Sequence, residues 1–374
     1  MTLSATSKKP AVCLVAISLG TGGSDRSCAQ LSQMLTAEGF EVHIAVLNDN
    51  VKFDYSGSLL NLGALKKGKD TLLKRFQRMR VLKRYLKKHN IAHVIDHRAK
   101  NQFYREWFYK KFIYHGVKTI YVVHSHLLET YFGKTPDRFR ALYQTNAATV
   151  TVSEAIKKTL QAKLQLRNLV CIPNAANPAW KALAKQTENP IATPYILSYG
   201  RMNDAVKDYR FLLESYAASK LYDEGIQLVL MGEGPSLPQL KQWVQTNGLE
   251  DAVQFIPPTT NPFPYVNDAI CVTLTSRYEG FPMVLLEALS LEVPVVSLDI
   301  PSGPSEIIEH QKNGLLIQKR EVSLFAEALR TVALDKELRL RFQRNAAASM
   351  ARYAPAPIAA AWKKLLLHGP NPSK

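Results

Sequence analysis

Two β-branched apolar runs, ICVTLT at 270–275 and VPVVSLDI at 293–300, are separated by little more than one short helix. Strands joined that way run parallel, and a parallel strand is buried on both faces, so the chain must lay helices on both sides of a sheet. Similar runs recur at 10–19, 42–47, 91–96, 117–126, 148–152, 169–173, 195–199, 226–231 and 253–256, with helical stretches between most of them. That order implies an α/β protein with two doubly wound, Rossmann-like domains facing across a cleft, and ligands at the carboxyl ends of the strands. A length of 374 residues is enough for two such cores, and the polar, proline-bearing stretch 186–194 reads as the linker.

Between the two runs the chain turns at Gly280 and is expected to enter a helix with Pro282 at its first position, where a missing N–H costs little. The N–H groups of Phe281, Met283 and Val284 then point out of the helix start, with the positive end of the helix dipole behind them. Such a start is an anion site, most naturally for a phosphate. Glu279 lies just before it, in reach of whatever the phosphate carries. Glu287 is expected on the flank of the helix, with Val284, Leu285, Ala288 and Leu289 buried, where its carboxylate can accept two hydrogen bonds from a ribose diol. The plain alternative makes Glu279 a capping acid and Glu287 a solvated helix residue.

Arg201 follows the run 195–199 and Lys207 is expected to open the next helix, so both can converge on one phosphate, Arg as a planar fork and Lys as a point charge. Near the N-terminus, Gly20, Gly22 and Gly23 follow the first strand as a loop, with Ser24 or Asp25 placed to cap the next helix. Their spacing is not G-x-G-x-x-G, which argues against a Rossmann dehydrogenase. His124 falls at the end of the strand expected within 117–126, where α/β folds place ligand contacts, and His126, two residues on, is a second candidate.

The EGFP-x-x-x-x-EA form made by Glu279, Gly280, Phe281, Pro282, Glu287 and Ala288 resembles the E-x7-E signature of the retaining family 4 glycosyltransferases. Ser302, Gly303, Pro304 and Glu306 match the segment that follows it in that family. The R-x5-K spacing of Arg201 and Lys207, the GEGP turn and Asn174 in IPNAANP are similar as well. The resemblance covers most of residues 10–360, strongly in the second half and weakly in the first. It implies the GT-B fold, with 1–180 the acceptor-side domain, 190–355 the nucleotide-sugar domain and 356–374 a helix crossing back to the first.

The same resemblance implies transfer of a hexosyl group, with retention, from a nucleotide diphosphate sugar, expected to be a UDP-sugar, to a lipid-linked or cell-envelope saccharide such as lipopolysaccharide or capsule. By the same token Glu279, His124, Arg201 and Lys207 are the catalytic candidates. Gly22, Gly23, Arg201, Lys207, Glu279, Gly280, Phe281, Pro282, Met283, Val284 and Glu287 would hold the donor, with Arg26 near the first loop. No cofactor and no metal are expected, in keeping with the lack of a D-x-D motif. The chain departs from the family at Pro257 and Pro258, where a glycine usually lies beside the nucleotide base, and this leaves the base open.

Charge narrows the partners. The formal net charge is +17, and residues 66–118 hold 17 Lys or Arg against Asp70, Asp96 and Glu106. Within them Leu72, Leu73, Phe76, Met79, Leu82 and Leu86 fall at helical spacing, a stripe assigned to the core, and cations fill the remainder. So one-sided a charge favours contact with an anionic membrane surface over a merely solvated face. A nucleic-acid-binding protein fits less well, since stacking aromatics and a reader motif are missing. A sugar-nucleotide epimerase shares the two-domain plan but needs further acids and bases around the sugar. No apolar run of about 18 residues is present to span a bilayer. Lys8 and Lys9 precede an apolar run as in a secretory leader, but that run passes straight into the glycine loop and reads as a strand. Cys13, Cys28, Cys171 and Cys271 are scattered and read as reduced thiols. The expected location is cytoplasmic, peripheral on the inner face of the cytoplasmic membrane.

Overall fold

The structure, a computed structural model, describes residues 9–66 and 68–370. Lys8, weighed above as part of a leader, and Lys67 of the basic stretch lie outside those residues. The chain forms two compact units, one running up to Pro173 and resuming at Pro355, the other Asn174–Ala354.

In the first unit, strands β1 (Val12–Ala16), β2 (Val42–Val46), β3 (Ser58–Asn61), β4 (His93–Asp96), β5 (Lys118–Val123), β6 (Ala148–Thr151) and β7 (Leu169–Cys171) form one parallel sheet in the order β3-β2-β1-β4-β5-β6-β7. Every residue of β1, β2 and β4 is buried, as strands covered on both faces must be. The order reverses between β1 and β4, so the loops leaving those strands diverge and open a crevice at their carboxyl ends. The last helix, Pro355–His368, packs on the helix Gly22–Ala37, where Lys363 Nζ lies 2.8 Å from Glu38 Oε2.

In the second unit, β8 (Tyr195–Tyr199), β9 (Gln227–Met231), β10 (Val253–Ile256), β11 (Cys271–Leu274), β12 (Val295–Leu298) and β13 (Gly314–Ile317) form a parallel sheet in the order β10-β9-β8-β11-β12-β13. Here the reversal falls between β8 and β11, which pair at Cys271 with Ile196 and at Val272 with Leu197.

Several sequence expectations are corrected. Two four-residue edge strands, β3 and β13, add to the runs expected from the sequence. The stretch 186–194 belongs to the second unit, and the change of unit falls at Pro173. Residues just after it are already tied down, Ala176 N–H donating to Tyr353 O at 2.7 Å and Trp180 stacking on Phe263. The stripe on the helix Leu72–Lys88 is core only at Leu82 and Leu86. Leu72, Leu73 and Phe76 are 78%, 69% and 49% exposed.

The cations of 66–118 are not all on the surface either. Arg98 and Lys100 are buried. Arg98 Nη2 bonds Asp96 Oδ2 at 2.7 Å and Glu106 Oε2 at 3.0 Å, and Lys100 Nζ donates to the carbonyls of Asp96 and Arg98 at 2.9 and 2.5 Å. Burial works to raise the Asp96 carboxyl, but Arg98 and Lys100 hold it at about 2. All four cysteines are free, and Cys13, Cys28 and Cys271 are buried.

Candidate active site

Because β8 and β11 are neighbours at the reversal, the loops that leave them must share one crevice. The first carries Arg201 and Lys207, the second Glu279 to Pro282. Arg201 is exposed, and among the described residues its guanidinium has no partner. Lys207 differs from expectation: it closes the single turn Asp204–Lys207 instead of opening a helix, and Asp208 after it takes a left-handed conformation, φ 52°. Its Nζ lies 2.6 Å from Glu279 Oε1, which also accepts from Ser276 Oγ at 2.7 Å. Glu279 is therefore no capping acid but one half of an ion pair, with side chains 15% and 21% exposed.

Side chains far apart in sequence hold the two loops together. Arg320, which no sequence motif marks, donates to Asp208 Oδ2 at 2.6 Å and to the carbonyls of Thr275 and Ser276 at 2.9 and 2.7 Å. Thr275 Oγ1 donates to Lys207 O at 3.0 Å. Burial pushes the Asp208 carboxyl up, against the pull of Arg277 and Arg320. The GEGP turn supports Arg201 from β9: Met202 N–H donates to Glu233 O at 2.7 Å, and at Gly232, φ +150°, a Cβ would sit 1.9 Å from Gly200 O.

The helix after Gly280 spans Met283–Ser290, with Pro282 as its N-cap and not its first residue. Met283 and Val284 lack intrahelical acceptors for their N–H groups, whereas Leu285 N–H bonds back to Pro282 O at 3.2 Å. The helix is buried almost all round, so Glu287 is neither on a flank nor solvated: it is 3% exposed, and its Oε2 accepts from the Tyr199 hydroxyl at 2.6 Å. Phe281, also buried, packs its ring on Tyr353. Ser302 Oγ donates to Gly280 O at 2.7 Å, and at Gly303, φ +102°, a Cβ would meet Pro282 Cδ at 2.4 Å. Asn174 Nδ2 reaches Phe281 O at 3.5 Å. Pro257 and Pro258 are exposed at the carboxyl end of β10.

In the first unit, Gly22 and Gly23 are the opening residues of the helix Gly22–Ala37 and are exposed. Thr21 is the N-cap, and neither Ser24 nor Asp25 caps in the expected way. Asp25 instead folds back from the first turn to accept from Ser18 Oγ at 2.5 Å and from Gly20 and Thr21 N–H at 3.2 Å each, and burial raises its carboxyl. The Arg26 guanidinium lies over the Phe53 ring at 4.8 Å.

His124 Nε2 lies 2.9 Å from Nδ1 of His97, which follows β4 at the reversal and is marked by no sequence motif. Burial, the neighbouring His97 and Lys100 hold His124 far below the ordinary imidazole value; burial and Lys100 bring His97 down to about 3. Both rings are neutral at physiological pH. His126 turns away, its Nε2 3.2 Å from Thr159 Oγ1. Among the described residues, the trio of side chains placed to hold a metal ion lies elsewhere, beside Val42 at the start of β2.

Two family models match the chain. One described as Glycosyltransferase Family 4 covers residues 21–180, and one described as Glycosyl transferases group 1 covers residues 181–349. An exopolysaccharide phosphotransferase of Streptomyces coelicolor is 28% identical over 221 residues, which is 58% of this chain but only 23% of that relative's length. An N-acetylgalactosamine-N,N'-diacetylbacillosaminyl-diphospho-undecaprenol 4-alpha-N-acetylgalactosaminyltransferase of Campylobacter jejuni is 24% identical over 349 residues, covering 88% of this chain and 92% of its own. The crystal structure of Anabaena HepE in complex with UDP-glucose superposes with a TM-score of 0.76 at 17% identity, over 95% of this chain and 98% of that one, a likeness of fold.

Proposed function

The chain belongs to the family 4 glycosyltransferases, and from that premise we propose that it moves a hexosyl group from a UDP-sugar to a lipid-linked or cell-envelope saccharide, with retention at the anomeric carbon. The observation that carries the reading is the exposed Arg201, whose guanidinium has no partner among the described residues, on the same loop as Lys207, a loop that shares its crevice with the start of the helix Met283–Ser290. As the glycosidic bond to phosphate breaks, negative charge gathers on the leaving diphosphate. A guanidinium fork, an ammonium and the first N–H groups of a helix oppose that charge without a metal ion. Glu279, held by Lys207 and Ser276, orients the sugar through its hydroxyls, and Glu287, fixed by Tyr199, receives the ribose diol. No protein nucleophile is assigned. In the first unit, Gly22, Gly23 and His124 are the substrate-facing groups of that unit. The choice of UDP leans on the neighbour that holds UDP-glucose, and the lipid-linked acceptor on the Campylobacter relative's name.

The membrane surface enters through the first unit. Exposed Phe76, on the helix that also bears exposed Leu72 and Leu73, meets Phe108, whose ring lies 5.1 Å from both Phe76 and Phe112; exposed Phe112 packs on exposed Trp107, and Lys111 sits over Trp107. An apolar cluster of this kind, set among cations, suits the headgroup region of an anionic leaflet. No helix among the described residues is long and apolar enough to cross a membrane.

The test is a screen of UDP-, GDP- and ADP-sugars for nucleotide release, with and without lipid-linked acceptors and with chelator present. UDP release that needs acceptor and survives chelator is expected; an epimerised sugar released without acceptor, or activity abolished by chelator, overturns the reading. Flotation with anionic vesicles, weakened by Phe76→Ser, is expected in place of a gel shift with DNA or RNA.

A further inference from the structure

Glu41, His43 and His89 each offer one metal-type donor atom, and the three atoms lie within 4.8 Å of one another. Topology brings them together. Glu41 directly precedes β2 and His43 is its second residue, so the two share a face of the strand. His89 is the C-cap of the helix Leu72–Lys88, which delivers its ring to within 4.7 Å of the His43 ring.

The geometry points to a divalent transition-metal site of the zinc type, with Glu41, His43 and His89 as protein ligands and a fourth position left to water. His43 Nε2 and Glu41 Oε1 are 3.3 Å apart, about the separation of two ligands each roughly 2.0–2.1 Å from a tetrahedral ion. The other ring nitrogen is already engaged, His43 Nδ1 lying 2.8 Å from the Tyr85 hydroxyl. That bond settles the orientation of the ring and directs Nε2 toward Glu41, as an outer partner does for a metal-bound imidazole. His43 is only 2% exposed, so its ring is held in place by the packing around it. Two imidazoles and a carboxylate suit zinc, whereas calcium and magnesium prefer oxygen throughout.

The site lies at the amino end of β2, and substrates of a doubly wound sheet gather at the carboxyl ends. An ion here therefore takes no part in sugar transfer. It fastens the end of the helix Leu72–Lys88 to the start of β2 and so steadies the helix that carries the exposed Leu72, Leu73 and Phe76.

The test uses the full chain, stripped with chelator and titrated with Zn²⁺ and then Co²⁺. One ion per chain is expected, with the intense visible absorption of four-coordinate Co²⁺ and a thermal midpoint raised by Zn²⁺. His89→Ala and Glu41→Gln, both at partly or fully exposed positions, should fold and lose at least about 10-fold in affinity, and Tyr85→Phe about 10–100-fold. Failure of the unmodified chain to bind zinc, or binding unchanged in His89→Ala, shows that Glu41 and His43 merely share a hydrogen bond, and overturns the proposal.

Discussion

Arg201 and Lys207 carry the same charge in different settings. Arg201 is exposed and has no partner among the described residues, so on the proposed function Arg201→Ala should leave the thermal midpoint unchanged and lower kcat about 10²–10³-fold, as loss of one group aimed at developing charge does. Lys207 also neutralises Glu279 at 2.6 Å. Lys207→Ala thus turns a bare carboxylate toward the diphosphate and should cost more than Arg201→Ala, while Lys207→Ala with Glu279→Gln should recover part of the lost donor affinity. Steady-state kinetics on the three variants decide it, and equal losses in both single variants would refute the coupling. Tyr199→Phe takes a donor from a carboxylate only 3% exposed and should cost about 1–3 kcal/mol in urea unfolding. Spacing singles out Arg201 and Lys207 as candidates, but not Tyr199 or Arg320, whose partners Glu287 and Asp208 are 88 and 112 positions away.

The element that matters most is the turn from β11 into the helix Met283–Ser290, and it is shaped by the loop after β12. Gly303 can take no other side chain: its φ of +102° strains any L residue, and a Cβ would strike Pro282 Cδ at 2.4 Å. Gly303→Ala should displace Gly280–Pro282, cost on the order of 1–3 kcal/mol and reduce turnover, whereas Ser302→Ala, which removes the bond to Gly280 O without adding a Cβ clash, should do less on both counts. Chemical denaturation and initial rates measured together check the order. The helix itself was legible from its proline and apolar residues. Its burial on nearly every side was not, because eight residues of mostly apolar sequence fit an amphipathic or an enclosed helix equally well.

For the molecule as a whole, the internal charges of the first unit predict its response to acid. Burial, with Lys118 nearby, lowers His93 to about 4, and burial with Lys100 lowers His97 to about 3. An unfolded imidazole takes up its proton near 6.5, so between that pH and about 3 the unfolded chain binds more protons than the folded one. Stability is complete above pH 6.5 and falls as pH drops through that window; Asp96, held at about 2, continues the loss below 3.8. Calorimetry should find the thermal midpoint about 5–10 °C lower at pH 4.5 than at pH 7.5, with a shallower slope in His93→Gln. An unchanged midpoint would mean the histidines titrate normally in the folded chain.

Reading along the chain was enough to establish two parallel α/β sheets and most of their strands, and to place local features such as Arg201 two residues past a strand and Pro282 at a helix start. Folding alone determined that Lys207 meets Glu279, that Glu287 is enclosed with Tyr199, that Arg98 and Lys100 are internal while Leu72 and Leu73 face solvent, and that Glu41, His43 and His89 converge. The reason is physical: periodicity and turn chemistry act within a few residues, whereas burial and ion pairing depend on which strands lie side by side, and the local pattern does not encode that order.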